Sequence, residues 1–313
     1  MNPAATTPIP LLGMALALAA MLLFACCSIV TSIAARRLDT DAGALIAALV
    51  NLPLGLVLVA AQVLVFGPLR PVSAIAIAWF LLAGVFSTYL GRWLFFKSIE
   101  AAGPTRATSF QAASPIVTAL LGWVFLGQTL GALALAGIVI GVAGLAITSL
   151  GPLLGKAAAQ TPRPTFDTRS LLLIGLGSAS AYSVSQILRA AGVQAWSEPV
   201  VGVTLGAVAG SLALTWVQRK ELRPLRRRIL AQPAASMLYA GVGCMQIVAQ
   251  TLLIASLLHI PASIAALVSM SSPLVVLPLS LLLFRNRERI GFAVVFGILI
   301  TLAGVGLTVL QAA

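Results

Sequence analysis

About ten apolar runs, each close to 20 residues long, follow one another along this chain with little between them. Their limits read as 10–34, 43–66, 73–97, 107–126, 130–150, 170–190, 199–217, 234–257, 260–284 and 290–311. A run of that length crosses the hydrocarbon core of a bilayer as a helix. No water is available there to satisfy a stray backbone N–H or C=O, so each segment must satisfy its own. The runs are continuously apolar and do not alternate, which excludes a membrane barrel of strands. Only 8% of the residues are charged, against about 25% in a soluble domain, and the mean hydropathy is +1.08. The expected class is an all-α integral membrane protein with ten transmembrane helices.

The chain is also written twice. Ala113-Ser114-Pro115-Ile116-Val117 recurs as Ser271-Ser272-Pro273-Leu274-Val275. Gly137-Ile138-Val139-Ile140-Gly141 recurs as Gly297-Ile298-Leu299-Ile300-Thr301, and Gly144 as Gly304. Upstream, Ala83-Gly84-Val85 pairs with Ala240-Gly241-Val242, and Pro104 with Pro261. The first unit reads as 11–149 and the second as 170–311, joined by a cytoplasmic linker at 150–169 in which Gly151, Pro152, Pro162 and Pro164 break any helix. Each unit holds an odd number of spans, so the second is inverted across the bilayer. Small-molecule transporters are often built this way.

Charge sets the expected orientation. The net charge is +12, and 17 of the 19 basic residues fall in odd-numbered connections or the helix ends beside them. The opposite side holds Arg70 and Arg189. Short cytoplasmic loops carry the Lys/Arg excess. Both termini are therefore expected in the periplasm, with the chain in a bacterial inner membrane. The turn Gly127-Gln128-Thr129 is uncharged, whereas its counterpart is Arg285-Asn286-Arg287-Glu288-Arg289. Inverted halves place these turns on opposite sides. The basic run from Arg219 to Arg228 is expected to meet anionic headgroups, at about 1 kcal/mol per charge. The partner implied is the lipid bilayer, not nucleic acid. The N-terminus lacks the basic start of a secretory signal.

Gly202, Gly206 and Gly210 recur every fourth residue, and Gly137, Gly141 and Gly144 line one side of a span. Small residues at such spacing let helices approach closely in lipid. Trp93, Trp123, Trp196 and Trp216 fall near span ends, where amphipathic rings anchor at the interface; Trp93, beside Arg92, has a cavity as its alternative. Ser197-Glu198-Pro199 reads as a helix start with a hydroxyl cap and proline in the first turn. Cys26, Cys27 and Cys244 form no disulfide framework or metal-ligand spacing.

These features resemble the drug/metabolite transporter superfamily, and within it the ten-helix EamA-type exporters. The strongest stretch runs from Arg106 to Gly144 and is repeated from Ile264 to Gly306. In the family pattern the turn carries Gly-Glu. Glu288 matches that glutamate, and Gln128 replaces it in the first half. The resemblance implies a bundle around a central cavity, alternating access, and export of small organic metabolites such as amino acids or related compounds. It implies no enzyme activity and no cofactor.

Polar side chains within spans face protein or a cavity, because exposure to lipid is costly. Substrate-binding candidates follow from that rule. Ser28, Thr31 and Ser32 cluster on the first span, and Thr88, Tyr89 and Arg92 on the third. Gln111, Ser114, Ser269 and Ser272 surround the two prolines. On the sixth span Ser178, Tyr182, Ser185, Gln186 and Arg189 form one stripe, and Gln246 and Gln250 lie four apart on the eighth. Pro115 and Pro273 are expected to kink their helices. Each frees a carbonyl for substrate or water; a purely structural kink is the alternative. Arg92 and Arg189 either snorkel from span ends or bind a substrate carboxylate or phosphate.

The seven acids, Asp39, Asp41, Glu100, Asp167, Glu198, Glu221 and Glu288, fall in loops or at span ends. A proton or sodium relay needs a carboxylate in mid-membrane. The small multidrug resistance proteins, relatives in the superfamily, rely on one. Uncoupled or weakly coupled export is therefore expected. Proton-coupled metabolite or drug efflux is the alternative, and a non-transporting scaffold or receptor is the alternative of another class. One His and seven peripheral acids assemble no catalytic constellation.

Overall fold

The computed structural model describes residues 10–95, 98, 110–111, 113–128, 130–150, 168–272, 274–276 and 292–312, and these contain no strand. The helices are α1 (Pro10–Ala34), α2 (Thr40–Phe66), α3 (Ala74–Phe95), α4 (Ser114–Leu126), α5 (Ala132–Leu150), α6 (Thr168–Ala195), α7 (Pro199–Val217), α8 (Arg219–Ala231), α9 (Pro233–Ser256), α10 (Ala262–Met270) and α11 (Phe292–Ala312). Among the described residues, α1, α2, α3, α7 and α9 are long and apolar enough to cross a membrane by themselves, and α4, α5, α10 and α11 contain shorter apolar stretches. Helix α6 is long but carries the polar stripe. All but α8 are the ten spans.

Local chemistry sets the ends. The Asp39 carboxylate accepts from the Ala42 amide at 3.1 Å and starts α2. The Ser73 hydroxyl does the same for Ala76 at the start of α3. Gly127, at φ 60°, closes α4 in the left-handed region, where a Cβ would be strained. Beyond it the Gln128 side-chain oxygen accepts from the Ala262 amide at 3.2 Å. The uncharged turn of the first half thus caps a helix of the second.

The halves are exchanged by a pseudo-symmetry that maps α1–α5 onto α6, α7, α9, α10 and α11. Equivalent helices pair across it: α2 with α7, α4 with α10, α5 with α11. The contact of α1 with α9 is matched by that of α6 with α3. Five crossings per half turn the second half over, giving two inverted repeats around a central cavity. Large apolar residues such as Leu64 and Leu173 lie outward, while Ser114, Ser178, Ser183, Ser185 and Gln186 are buried. That distribution suits lipid as the surrounding solvent.

The glycines pack as the spacing predicts. A Cβ on Gly137 would lie 2.7 Å from the Gly304 carbonyl oxygen, and one on Gly84 would strike the Gly206 backbone. Backbones touch at both crossings.

Three elements differ from the sequence reading. The basic run from Arg219 to Arg228, expected only as a connection between spans, lies in helix α8. Its Leu222, Leu225 and Ile229 pack on a cluster containing Leu38, Ala42 and Leu45, leaving Arg219, Lys220, Arg226 and Arg227 exposed. Arg228 pairs with Asp39 at 3.3 Å. Within α3, residues Val85–Gly91 wind as a π-helix. Helix α6 runs on to Ala195, five residues past the limit read from hydropathy.

Replacing Gly84 by Val should destabilise the α3–α7 crossing by about 1–3 kcal/mol or more, the cost of forcing atoms into a packed contact. We expect a lower melting midpoint in detergent for Gly84→Val and an unchanged one for outward-facing Leu64→Ala. A wild-type midpoint for Gly84→Val would contradict the assigned crossing.

Candidate functional site

The buried polar groups converge between α1, α3, α6, α9 and α10. The π turn brings Ser87 and Thr88 inward on α3, beside Arg92. The stripe on α6 adds Tyr182, Ser185, Gln186 and Arg189, α9 adds Gln246 and Gln250, α10 adds Ser269, and the turn after it adds Ser272. Together with Phe24, Leu253 and Met270 they enclose a cavity of about 250 Å³.

This cavity is the middle of a longer passage. A wider space of about 700 Å³ shares Phe24, Arg92, Tyr182 and Gln246 with it and is lined further by Ser28, Thr31, Gly43 and Tyr239. That mouth lies at the end of the bundle where Arg36, Arg37 and α8 are found. At the other end a space of about 40 Å³ shares Thr88, Arg189, Gln246 and Gln250 with the centre. Its further walls include Asn51, Phe80, Gly202 and Ile254. Phe80 is fully buried, and an added Cβ on Gly202 or Gly192 would meet its ring. The passage is thus wide at the basic end and narrow at the other.

Arg189 is the central charge. Its Nη1 donates to the Gln250 side-chain oxygen at 2.6 Å and to that of Gln186 at 3.4 Å. Its Nη2 donates to the Ser87 hydroxyl at 3.1 Å. All three partners are neutral. Arg92 lines both the centre and the mouth, as Tyr182 does. Among the described residues no carboxylate lines any of the three spaces.

The sequence candidates divide accordingly. Thr88, Arg92, Tyr182, Gln186, Gln246, Gln250, Ser269 and Ser272 line the central cavity, and Ser28 and Thr31 the mouth. Gln111 and Ser114 instead tie helices together. Gln111 donates to Ser178 at 2.6 Å, and Ser114 and Ser183 hydrogen-bond at 3.0 Å. Tyr89 is half-buried and lines none of the three spaces. Pro115 stands in the first turn of α4, directly after a turn at Ala113. The side chain of Ser32 and residue Pro273 lie outside the described residues. Ser87 and Asn51 were not singled out in the sequence. Ser87 directly precedes Thr88 and Tyr89, which were, so adjacency was its signal; Asn51 is a lone amide within an apolar run.

Arg189 does not snorkel from a helix end; it lies inside α6 because that helix is longer than the apolar run. Trp196 is not an interfacial anchor. It is 5% exposed, and its indole N–H donates to the Arg70 carbonyl at 3.3 Å. Trp93, Trp123 and Trp216 are exposed, and Arg219 stacks over Trp216 at 5.3 Å. Nor does Ser197 cap α7: the N-cap is Glu198, whose side chain makes no capping bond. That carboxylate is buried. It accepts from the Arg70 amide at 3.1 Å and from the Gln62 side chain. Trp196, Arg70, Gln62 and Glu198 thus knot the α2–α3 and α6–α7 connections together near the narrow end.

The frame, the inverted pairing and the enclosed polar passage agree with the sequence comparisons. A model described as the EamA-like transporter family matches residues 11–150 and 169–310. The chain belongs to the EamA-like transporter family. Members are membrane transporters, so the chain is placed in a bilayer with a small-molecule substrate. One solved structure, described only as the crystal structure of a protein, is similar over 96% of this chain and 98% of its own, with a TM-score of 0.71 and 14% identity. At that identity the likeness concerns the fold alone. No curated protein matches the chain.

Removing the buried Glu198 carboxylate strands two donors and should cost about 1.5–3 kcal/mol, as for hydrogen bonds to a charged group. Glu198→Ala should lower the melting midpoint in detergent and Glu198→Gln should recover part of it. An unchanged midpoint for Glu198→Ala would contradict the knot.

Proposed function

We propose that this EamA-like transporter exports small organic metabolites by alternating access, without obligate coupling to protons. The observation that carries the reading is the passage itself. One polar cavity lies among the apolar spans, broad at the basic end and pinched at Phe80 at the other. A transporter caught open to one side has that shape. The units 11–149 and 170–311 supply the moving parts: a structure with exchangeable halves reaches the opposite opening when the halves exchange conformations. By the positive-inside rule the broad mouth is cytoplasmic and both termini are periplasmic, in a bacterial inner membrane.

Support for uncoupled movement comes from the lining. The central cavity offers hydroxyls, amides and guanidinium groups, with no described carboxylate among them. No carboxylate or imidazole, the usual proton carriers near neutral pH, is among these described lining groups. Substrate contacts are assigned to Thr88, Tyr182, Gln186, Gln246, Gln250, Ser269 and Ser272, with Ser28 and Thr31 at the entrance.

Purified protein in liposomes should release a preloaded mixture of small metabolites down its own gradient with equal pH on both sides. Strict dependence on an imposed proton gradient would favour proton-coupled efflux instead. Absence of flux for every metabolite, with correctly folded protein, would favour a scaffold or receptor.

A further inference from the structure

We propose that the substrate is a small organic anion, a carboxylate or phosphate ester, passed along the cavity by two arginines in series. The proposal rests on reading the passage as the transport route and narrows its cargo. Arg92 stands where mouth and centre meet, since it lines both. Arg189 stands where the centre meets the narrow end, since it lines those two. Each presents a planar fork of N–H donors.

What surrounds them decides the argument. Arg189 is held by Gln250, Gln186 and Ser87, which fix its orientation and cancel none of its charge. A guanidinium has five N–H donors, and the described residues engage three of them. The described lining of the centre supplies no carboxylate. An organic cation would enter a space that already carries two positive groups. A zwitterion would bring its ammonium near the same charges with only neutral acceptors to hold it. An anion completes the site, because guanidinium and carboxylate or phosphate form short, charge-assisted, bidentate bonds. Phe24, Leu253 and Met270 offer the carbon body an apolar wall.

The consequence for transport is electrical. A lone anion leaving a negative-inside cell moves down the membrane potential, so export needs no coupled ion.

The test measures binding and flux separately on the full-length protein. In detergent, binding of benzoate, phenyl phosphate, benzyl alcohol, benzylamine and phenylglycine is compared. At least one of the two anions should bind about tenfold or more tightly than the alcohol, amine or zwitterion, as a charge-assisted pair predicts; whichever anion binds more tightly names the head group. Arg189→Gln should bring the anion-to-alcohol ratio close to one, and Arg189→Lys should keep part of it. Should Arg189→Gln fail to fold, the wild-type ranking and the Arg92→Gln ratio decide. Equal binding of anion and alcohol, tighter binding of the amine, or no binding of either anion would overturn the proposal. In liposomes, anion flux should follow the sign of a potassium diffusion potential. Anion-selective binding with no flux would support the anion site and remove the transport reading. Flux that favours alcohol or amine would overturn the anion site and leave transport standing.

Discussion

A polar group inside a bilayer must find its partner within the protein. For a cation at mid-membrane the cost of failing is about 2.5–3.5 kcal/mol on insertion scales. Arg189 is where this protein meets that constraint most sharply. Its helix cannot turn it to lipid, so α3, α6 and α9 gather around it with Ser87, Gln186 and Gln250. The same requirement acts on every serine of the α6 stripe. Ser178 donates to the Gly91 carbonyl at 2.9 Å and Ser185 to that of Ala83 at 2.8 Å. The polar interior and the helix packing are therefore one arrangement, and the cavity is the part of it that the protein leaves unfilled.

Glycine makes that arrangement possible. Where Gly84 meets Gly206 and Gly137 meets Gly304, no side chain separates the backbones. Such contacts bind through van der Waals packing and have few interlocking side chains to disengage. The α3–α7 crossing stands directly beside the cavity, next to the π turn that delivers Ser87 and Thr88. The crossing of α5 and α11 lies at the equivalent fifth spans of the two halves. For the alternating access proposed above, a close, smooth contact beside the passage and another away from it would let the halves shift without exposing polar groups to lipid.

Much of this was legible in the sequence, for physical reasons that can be named. Apolar run length placed α1, α2, α3, α5, α7 and α9 to within a few residues, because a bilayer imposes one thickness. The repeated Ser-Pro and glycine landmarks revealed the duplication, and glycine spacing marked the crossings. The polar stripe on α6 marked the cavity wall, because three- and four-residue steps share a helix face. Other features escaped. Hydropathy ended the sixth span at 190, since Ala190-Ala191-Gly192-Val193-Gln194 is only weakly apolar, and this put Arg189 at a rim it does not occupy. The π turn has no sequence period of its own. Helix α8 was hidden by its basic residues, although Leu222, Leu225 and Ile229 stand at helical spacing. The contact of Arg70 with Glu198 joins residues 128 apart, and no local pattern reports such a partner.

The account depends on the second half lying upside-down relative to the first. The most direct measurement places single cysteines at Gln128 and at Arg287, a position outside the described residues, in a background lacking Cys26, Cys27 and Cys244. An impermeant thiol reagent is then applied to each side of the membrane in turn. Inversion predicts that the two positions are labelled from opposite sides, with 287 on the cytoplasmic one. Labelling of both from the same side would contradict the inverted frame and the exchange of openings built on it.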